Sequence, residues 1–225
     1  MSQQSTLPAS AATRTSRTSR LLACGIVAGP LFLAVGLTQA FTRDGFDLSR
    51  HPLSLLSLGD LGWAQIANFV VTGGLFLACA VGMGRALGPG RGGTWGPRLV
   101  GALGAGLVVA GVFVADAGAG FPPGAPAGAP EISWHGALHE AGFALASLGM
   151  VAGCLVFARR FAGLRQWGWV GASVATAVAV LVLAAWPDLD GVSVRLVVAS
   201  AVLYGYVGAL AAHLLRRLPE GPASG

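Results

Sequence analysis

Histidines at helical spacing are the first residues of this chain that could do chemistry. The stretch ISWHGALHEAGF (132–143) places His135 and His139 four residues apart, so on a helix they share one face and can offer two ring nitrogens to one ion. The spacing matches the zinc-binding HExxH helix, but Glu140 follows the second histidine instead of standing between the two. A metal at this point would therefore need further ligands from elsewhere in the chain.

Those ligands would have to come from two other polar segments. His51 and Ser54 lie in LSRHPLSLLSLGDLGW (48–63), and Asp116 follows GVFVA. Because zinc accepts imidazole and carboxylate ligands, the sequence predicts metal ligands at His51, His135 and His139, catalytic groups at Ser54 and Asp116, and zinc as the metal that this set favours. A Ser–His nucleophile is a second interpretation, although no glycine elbow surrounds the serines. Two interfacial histidines without a metal are a third.

Membrane-spanning helices must position these residues. The chain has 225 residues, of which 54% are hydrophobic and only 10% are charged, against about 25% charged in a soluble domain. A helix needs about 20 apolar residues to cross a bilayer. Runs without charge, or nearly so, predict an all-α integral membrane bundle of six helices, at about 21–41, 62–85, 98–115, 134–158, 167–186 and 192–215. The membrane domain is expected to cover residues 21–217, with disordered cytoplasmic tails at 1–20 and 218–225.

Basic residues predict the orientation of the bundle. The chain contains arginines and no lysine, and with both termini in the cytoplasm only Arg43, Arg50 and Arg195 fall outside. This positive-inside bias favours an N-in, C-in topology. The pI near 10.1 then reflects the arginines of the predicted cytoplasmic segments. No nucleic-acid partner is expected, because binding one would require the basic residues to lie on one folded face. We expect a multi-pass protein of the prokaryotic plasma membrane, with membrane lipids as its partners.

Most acidic residues and histidines lie in or beside the predicted outer segments, at 41–63, 116–133 and 187–191. The first of these is too apolar for a free loop, so residues 48–62 are expected to pack on the bundle, with Leu53, Leu55, Leu56 and Leu58 sheltered. Asp188 and Asp190 are expected to cap the last helix.

Small residues at four-residue spacing predict close helix packing, as in Gly25 with Gly29 and in Ala201, Gly205 and Ala209. Such faces also allow a homo-oligomer. Residues 1–40 loosely resemble a cleaved secretory signal, but the apolar run is longer than usual and a retained helix is the favoured interpretation. Cys24, Cys79 and Cys154 all lie in spans, so no disulfide is expected.

Two segments resemble a known family, SRHPLSLLSLGDLGWAQIANFVVTGGL (49–75) and GVFVADAGAGFPPGAPAGAPEISWHGALHEAGF (111–143). They are similar to the prokaryotic six-helix membrane family known as domain of unknown function 998, and the likeness covers about residues 21–215. The resemblance implies the six-helix architecture and a polar signature of His51, Ser54, Asp116 and His135, with His139 beside it. It implies no reaction. A weaker analogy links the same residues to membrane-embedded metal hydrolases.

Three classes of function follow from these observations. The first is a metal-dependent hydrolase acting on a lipid or a lipid-linked substrate at the outer face. The second is a non-catalytic membrane component that binds partners or lipids through its outer loops. The third is a transporter, which is disfavoured because the spans lack a clear mid-membrane charge and a pair of proline-broken helices.

Overall fold

The computed structural model describes residues 9–186 and 191–219, with side chains from Thr15 onward. Its helices are α1 (Ala9–Thr42), α2 (Gly62–Leu87), α3 (Trp95–Val112), α4 (Trp134–Gly163), α5 (Trp167–Ala185) and α6 (Val192–Leu215). Each of the 6 is long and apolar enough to cross a membrane. Within the described residues there is no β-strand, only an isolated bridge between Gly118 and Phe121. The predicted all-α, six-span architecture is confirmed.

Four helix boundaries differ from the prediction by three residues or more: the start of α1, both ends of α3 and the end of α4. α1 begins at Ala9, so residues 9–20 are helical where a tail without structure was expected. Half of this stretch is alanine and arginine, which are good helix formers, and half is serine and threonine, which are not. The helix extends through it because adding residues to an existing helix is much easier than starting one. α3 ends at Val112 because Phe113 takes an extended conformation, and Asp116 therefore lies in the following loop and does not close the helix. Residues 1–8 of the predicted tail 1–20, residues 220–225 of the predicted tail 218–225, and the predicted caps Asp188 and Asp190 lie outside the described residues.

The helices form a closed ring. Each packs against its neighbour in the chain, α1 packs against α6, and α2 also touches α6 across the centre. Glycines allow the closest approaches: a Cβ on Gly142 in α4 would lie 2.7 Å from the carbonyl oxygen of Gly106 in α3. The predicted packing of Gly25 and Gly29 is confirmed, because added methyl groups would collide with Cys79 and Tyr204 respectively. Gly205 differs from its prediction, since nothing lies within 4 Å of its Cβ position.

The last residues of helix α5 bury no side chain against the other helices. Its buried residues, Ser173, Thr176, Ala177 and Val180, end before Leu181. From 181 to 186 every side chain except that of Leu183 is exposed. Here "outer end" denotes the end of the bundle that carries His135, and α5 runs toward that end. At this end, residues of α4 and α6 line one cavity to which no described residue of α5 contributes, and this leaves a gap between α4 and α6.

The first outer segment packs on the bundle. It contains a short 3-10 helix, Leu53–Ser57. Leu53, Leu55 and Leu56 are buried, and Leu58 is half-buried against the same core. Burying each leucine fully contributes about 1.5–3 kcal/mol relative to exposure in water, which explains why this apolar segment folds back onto the bundle. The predicted sheltering of these leucines is confirmed.

Candidate functional site

His51 bridges the two long outer segments. The backbone N–H of Asp47 donates to His51 Nδ1 at 2.9 Å, and His51 Nε2 lies 3.0 Å from the carbonyl oxygen of Ala119. Since a carbonyl oxygen only accepts, Nε2 carries the proton and Nδ1 is the acceptor. Both ring nitrogens are therefore occupied and the residue is buried, so His51 acts as a structural bridge in this arrangement.

Aromatic and cationic groups reinforce this bridge. The rings of Phe46 and Phe121 pack against His51 at centroid distances of 5.3 and 5.5 Å. The Arg43 guanidinium lies 5.7 Å from the Phe121 ring centroid and donates to the carbonyl oxygens of Leu56 and Leu58. The two outer segments thus form one folded cap on the bundle.

Asp116 anchors the start of α4. Its Oδ1 accepts from the Ser133 hydroxyl at 2.6 Å, and its Oδ2 accepts from the Ser133 backbone N–H at 2.8 Å. Ser133 is the N-cap of α4, and its hydroxyl also accepts from the Gly136 N–H at 3.1 Å. These hydrogen bonds, chiefly the one from the Ser133 hydroxyl, lower the pKa of Asp116 against the opposing effect of partial desolvation. The carboxylate holds the helix N-terminus, where negative charge is favourable.

His135 lies at the surface of the outer end of the bundle. Its Nδ1 donates to the Val114 carbonyl oxygen at 2.9 Å and lies 3.7 Å from Asp116 Oδ1. The predicted approach of Asp116 to the histidine pair is thus confirmed for His135. Its side chain is 43% exposed, so this ring belongs to the outer surface of the cap.

His139 lies one helical turn deeper and is only 3% exposed. Its Nδ1 is 2.8 Å from the carbonyl oxygen of Ala110 and 3.0 Å from that of Phe113, both at the end of α3. Nδ1 must therefore carry the proton, which leaves Nε2 with a lone pair. Within the described residues, no hydrogen bond reaches Nε2. This tautomer equips His139 to accept a hydrogen bond or a proton, or to ligate an ion.

The predicted metal ligands do not converge. Among the described residues, no group of three or more His, Cys, Asp or Glu side chains lies close enough to hold a metal ion. His51 uses both nitrogens within the cap, and His135 is directed to a backbone carbonyl at the surface. His139 lines a cavity within the bundle. Zinc binding stays a prediction, and the structure gives it no complete set of ligands among the residues it describes.

A cavity of about 130 Å³ lies beneath the cap, inside the outer half of the ring. Helices α1, α2, α3, α4 and α6 contribute to its wall, together with residues 52–54 of the first outer segment. The wall is mostly apolar, and Phe32, Phe69 and Leu107 are among its residues. The polar side chains on the wall are Ser54, His139, Glu140, Ser193, Ser200 and Tyr204.

One polar atom of this wall is buried without a partner. Ser193 is fully buried, and its hydroxyl has no hydrogen-bond partner among the described residues. Such a hydroxyl costs roughly 1–3 kcal/mol when its hydrogen bond is not replaced. Together with Nε2 of His139, it gives the cavity two polar atoms that a bound molecule can satisfy.

The cavity faces the gap between α4 and α6. No described residue of α5 lines it, although α5 lies between α4 and α6 in the ring. Glu140 and Phe143 of α4 line the cavity and are exposed, which places them at its edge. The cavity therefore opens sideways, where the bilayer would surround the bundle.

Sequence reasoning missed a second polar group, a buried amide cluster between α1 and α2. Gln39 Nε2 donates to Gln65 Oε1 at 2.8 Å, and Asn68 Nδ2 donates to the same oxygen at 3.2 Å and to the Phe32 carbonyl oxygen at 3.1 Å. Thr72 is buried on the same face of α2. The signal was present in AQIANFVVTGG, where Gln65, Asn68 and Thr72 recur at helical spacing inside an apolar span.

Comparison with known proteins gives one match. A family model described as "Protein of unknown function (DUF998)" matches residues 26–213. No curated protein matches the chain, and no solved structure matches it.

Proposed function

Since this chain belongs to the DUF998 family of proteins of unknown function, we propose a function from the geometry of its cavity: this multi-pass membrane protein binds an amphiphilic molecule that enters sideways from the outer half of the bilayer. The observation that carries the proposal is the cavity wall between α4 and α6, where His139 and Ser193 present polar atoms without partners among the described residues. Ligand sites of this kind combine an apolar wall with a few placed polar groups.

The size of the cavity limits what it can hold. At about 130 Å³, it is smaller than the roughly 300–1,000 Å³ of sites for drug-sized ligands and close to the ~150 Å³ of a cavity that binds benzene. A whole lipid does not fit. The cavity instead accommodates one polar linkage or a short apolar segment, while the rest of the amphiphile lies in the gap beside α5.

The polar groups indicate the chemistry of that linkage. Nε2 of His139 accepts hydrogen bonds, and the serine hydroxyls both donate and accept. The Glu140 carboxylate at the edge repels anions and favours hydroxyl or ammonium donors. We therefore expect a neutral or cationic polar group, such as a hydroxyl, an ester or an amine, and not a phosphate.

A test is native mass spectrometry of the protein extracted from its membrane. Ser200→Phe fills the cavity from α6, and Val198→Phe, exposed on the same helix, is the matched control. We expect a co-purified amphiphile on the wild type and on Val198→Phe, and its loss from Ser200→Phe. Equal occupancy in all three, or no bound amphiphile on the wild type, would contradict the proposal.

Hydrolysis is a second candidate, because Ser54 and His139 line the same cavity. In that reaction the Ser54 oxygen would attack an ester carbonyl, Nε2 of His139 would take the hydroxyl proton and then return it to the leaving alcohol, and water would release the acyl group. A fluorophosphonate reagent should then label the wild type but not Ser54→Ala. A wild type that resists labelling would contradict this candidate.

The metal-dependent form of this candidate is tested by metal content. If zinc contributes, purified protein should retain it, and His139→Ala should lose it. Equal and negligible zinc in wild type and variant would contradict the metal-dependent form, and the amphiphile proposal would stand without it.

The arginine distribution supports an N-in, C-in orientation in the plasma membrane of a prokaryote. In that orientation the cavity opens to the outer leaflet. Reporter fusions after Gly90, Ala127, Gly163 and Gly221 test it. We expect a periplasmic signal at Ala127 and cytoplasmic signals at the other positions, and an external signal at Gly90 would contradict the orientation.

A further inference from the structure

A second groove lies at the opposite end of the bundle from the histidine cap. It runs between α5 and α6 with a volume of about 850 Å³. Small residues line its length, including Ala172, Ala175, Gly205 and Ala209. This is the face on which sequence spacing predicted close helix packing, yet Gly205 has nothing within 4 Å of its Cβ position. The small side chains therefore create an apolar channel on the surface of the bundle.

The end of this groove is cationic. Gln166, His213 and Arg217 line it there. With the Gln166 amide oriented so that its oxygen faces Arg217, that oxygen accepts from both terminal guanidinium nitrogens at 3.1 and 3.2 Å. The guanidinium is thus positioned at the mouth of the groove by a neutral partner. Arg217 and His213 also line an adjoining pocket together with Arg160, so a further positive charge lies nearby.

No acidic residue in the described part of this end offsets the positive charge. The described residues here, 9–20, 84–98, 159–168 and 213–219, contain no Asp or Glu. They carry eleven arginines, and the sequence beyond them adds one acidic residue, Glu220, so the net charge of this end is positive and attracts an anion from outside the chain.

We propose that the groove between α5 and α6 binds an anionic phospholipid of the inner leaflet, with its phosphate at Arg217 and an acyl chain along the small residues. The dimensions agree with this occupant. On α6 the groove extends from Val202 to Arg217, which at ~1.5 Å per residue is about 22 Å. One leaflet contributes about 15 Å of hydrocarbon to a ~30 Å core, so the groove covers one leaflet and its headgroup level.

A second copy of the chain is the other occupant that a small-residue groove could take. In a two-fold dimer through this groove with its axis along the membrane normal, the Arg217 guanidinium groups of the two copies would lie at the same depth and at the same end of the interface. With no carboxylate among the described residues of this end, like charges would meet across the interface. The charge pattern therefore favours the lipid.

The test measures lipid binding to the full chain in detergent by native mass spectrometry, with phosphatidylglycerol, phosphatidylcholine and inorganic phosphate as separate additions. We expect phosphatidylglycerol to bind more tightly than phosphatidylcholine and phosphate alone not to compete. Arg217→Gln should weaken phosphatidylglycerol about fivefold, the contribution of one basic residue at an anionic surface. Ala209→Trp, which fills the groove, should abolish the preference, and if that variant does not accumulate, Ala209→Leu fills part of the same space.

Two control variants separate the groove from general effects. Arg85→Gln removes one charge from an exposed residue at the same end, outside the groove, and Val81→Trp adds bulk to an exposed position of α2, a helix that does not line the groove. Both should bind phosphatidylglycerol like the wild type. The proposal would be overturned if Arg85→Gln and Arg217→Gln weakened binding equally, or if the two lipids bound with equal affinity. Full competition by inorganic phosphate would also overturn it, as would a dimer that Ala209→Trp dissociates without changing lipid binding.

Discussion

At the scale of single residues, the hydrogen-bonded nitrogen decides what each histidine can do. His51 has both nitrogens occupied and ties two loops together. His135 donates to a carbonyl oxygen at the surface. His139 donates through Nδ1 and keeps the lone pair of Nε2 beside a cavity. The sequence identified all three as polar candidates from residue type and spacing. The sequence could not distinguish their roles, because their partners include the backbone carbonyl oxygens of Ala110, Val114 and Ala119. Every residue has such an oxygen, so the residue type does not indicate which one accepts a hydrogen bond.

The role of Asp116 as an anchor of α4 predicts the effect of its removal. Asp116→Ala removes the carboxylate that accepts both Ser133 hydrogen bonds. A hydrogen bond to a charged group contributes about 1.5–3 kcal/mol to stability. We expect a loss of about 2 kcal/mol in the free energy of unfolding, measured by denaturant titration in detergent micelles. Asp60→Ala, an exposed carboxylate of the same cap, is the control and should change stability by less than about 0.5 kcal/mol. Equal effects of the two changes would contradict the anchoring role.

The lowered pKa of Asp116 predicts a pH dependence with a definite sign. Because the folded state binds the proton more weakly than the unfolded state, the stabilisation is fully present above the ordinary Asp value of 3.8. It is lost as the pH falls below that value through the lowered pKa of the folded state. The difference in stability between wild type and Asp116→Ala should therefore be constant at neutral pH and shrink below about pH 4. A difference that grows on acidification would have the wrong sign.

At the scale of elements, glycines determine which helices touch and α5 determines where the ring opens. The close contacts of Gly25, Gly29, Gly106 and Gly142 hold α1 and α4 to their neighbours. The sequence predicted the number and approximate limits of the helices well, because uncharged runs of sufficient length have few alternatives to spanning a bilayer. It did not predict that α5 buries no side chain after Val180. The alanines and valines of α5 suit a lipid-facing surface as well as a surface packed against protein. Composition therefore does not distinguish a helical turn that packs on the bundle from one that faces lipid.

The α3–α4 contact predicts opposite effects for two glycines. Gly142→Ala places a methyl group 2.7 Å from the Gly106 carbonyl oxygen and should destabilise the protein by about 1–3 kcal/mol. Gly171→Ala in α5 meets nothing within 4 Å and should be neutral or stabilise by up to about 1 kcal/mol through helix propensity. Thermal unfolding of the two variants in the same detergent makes the comparison. A Gly142→Ala variant as stable as Gly171→Ala would show that α3 and α4 are not in close contact there.

At the scale of the whole molecule, chemistry is divided between the two ends of one helical ring. The outer end carries the folded cap, the histidines and a cavity edged by the Glu140 carboxylate, and the opposite end carries arginines without described carboxylates. The sequence predicted this division from the positions of charged residues alone. The cavity could not be predicted from the sequence. It opens between α4 and α6 where α5 does not line its wall, and such an opening depends on the packing angles of the helices.

The central claim is that an amphiphile enters the cavity through that gap, and covalent trapping tests it most directly. The protein would be reconstituted with a photoactivatable, alkyne-bearing diacylglycerol, which carries ester and hydroxyl groups and no phosphate. After irradiation and digestion, the labelled residues would be identified by mass spectrometry. We predict preferential labelling of 139–143 on α4 and 193–200 on α6, abolished by Ser200→Phe and retained in Val198→Phe. Uniform labelling of all lipid-facing helices, unchanged by Ser200→Phe, would contradict the claim.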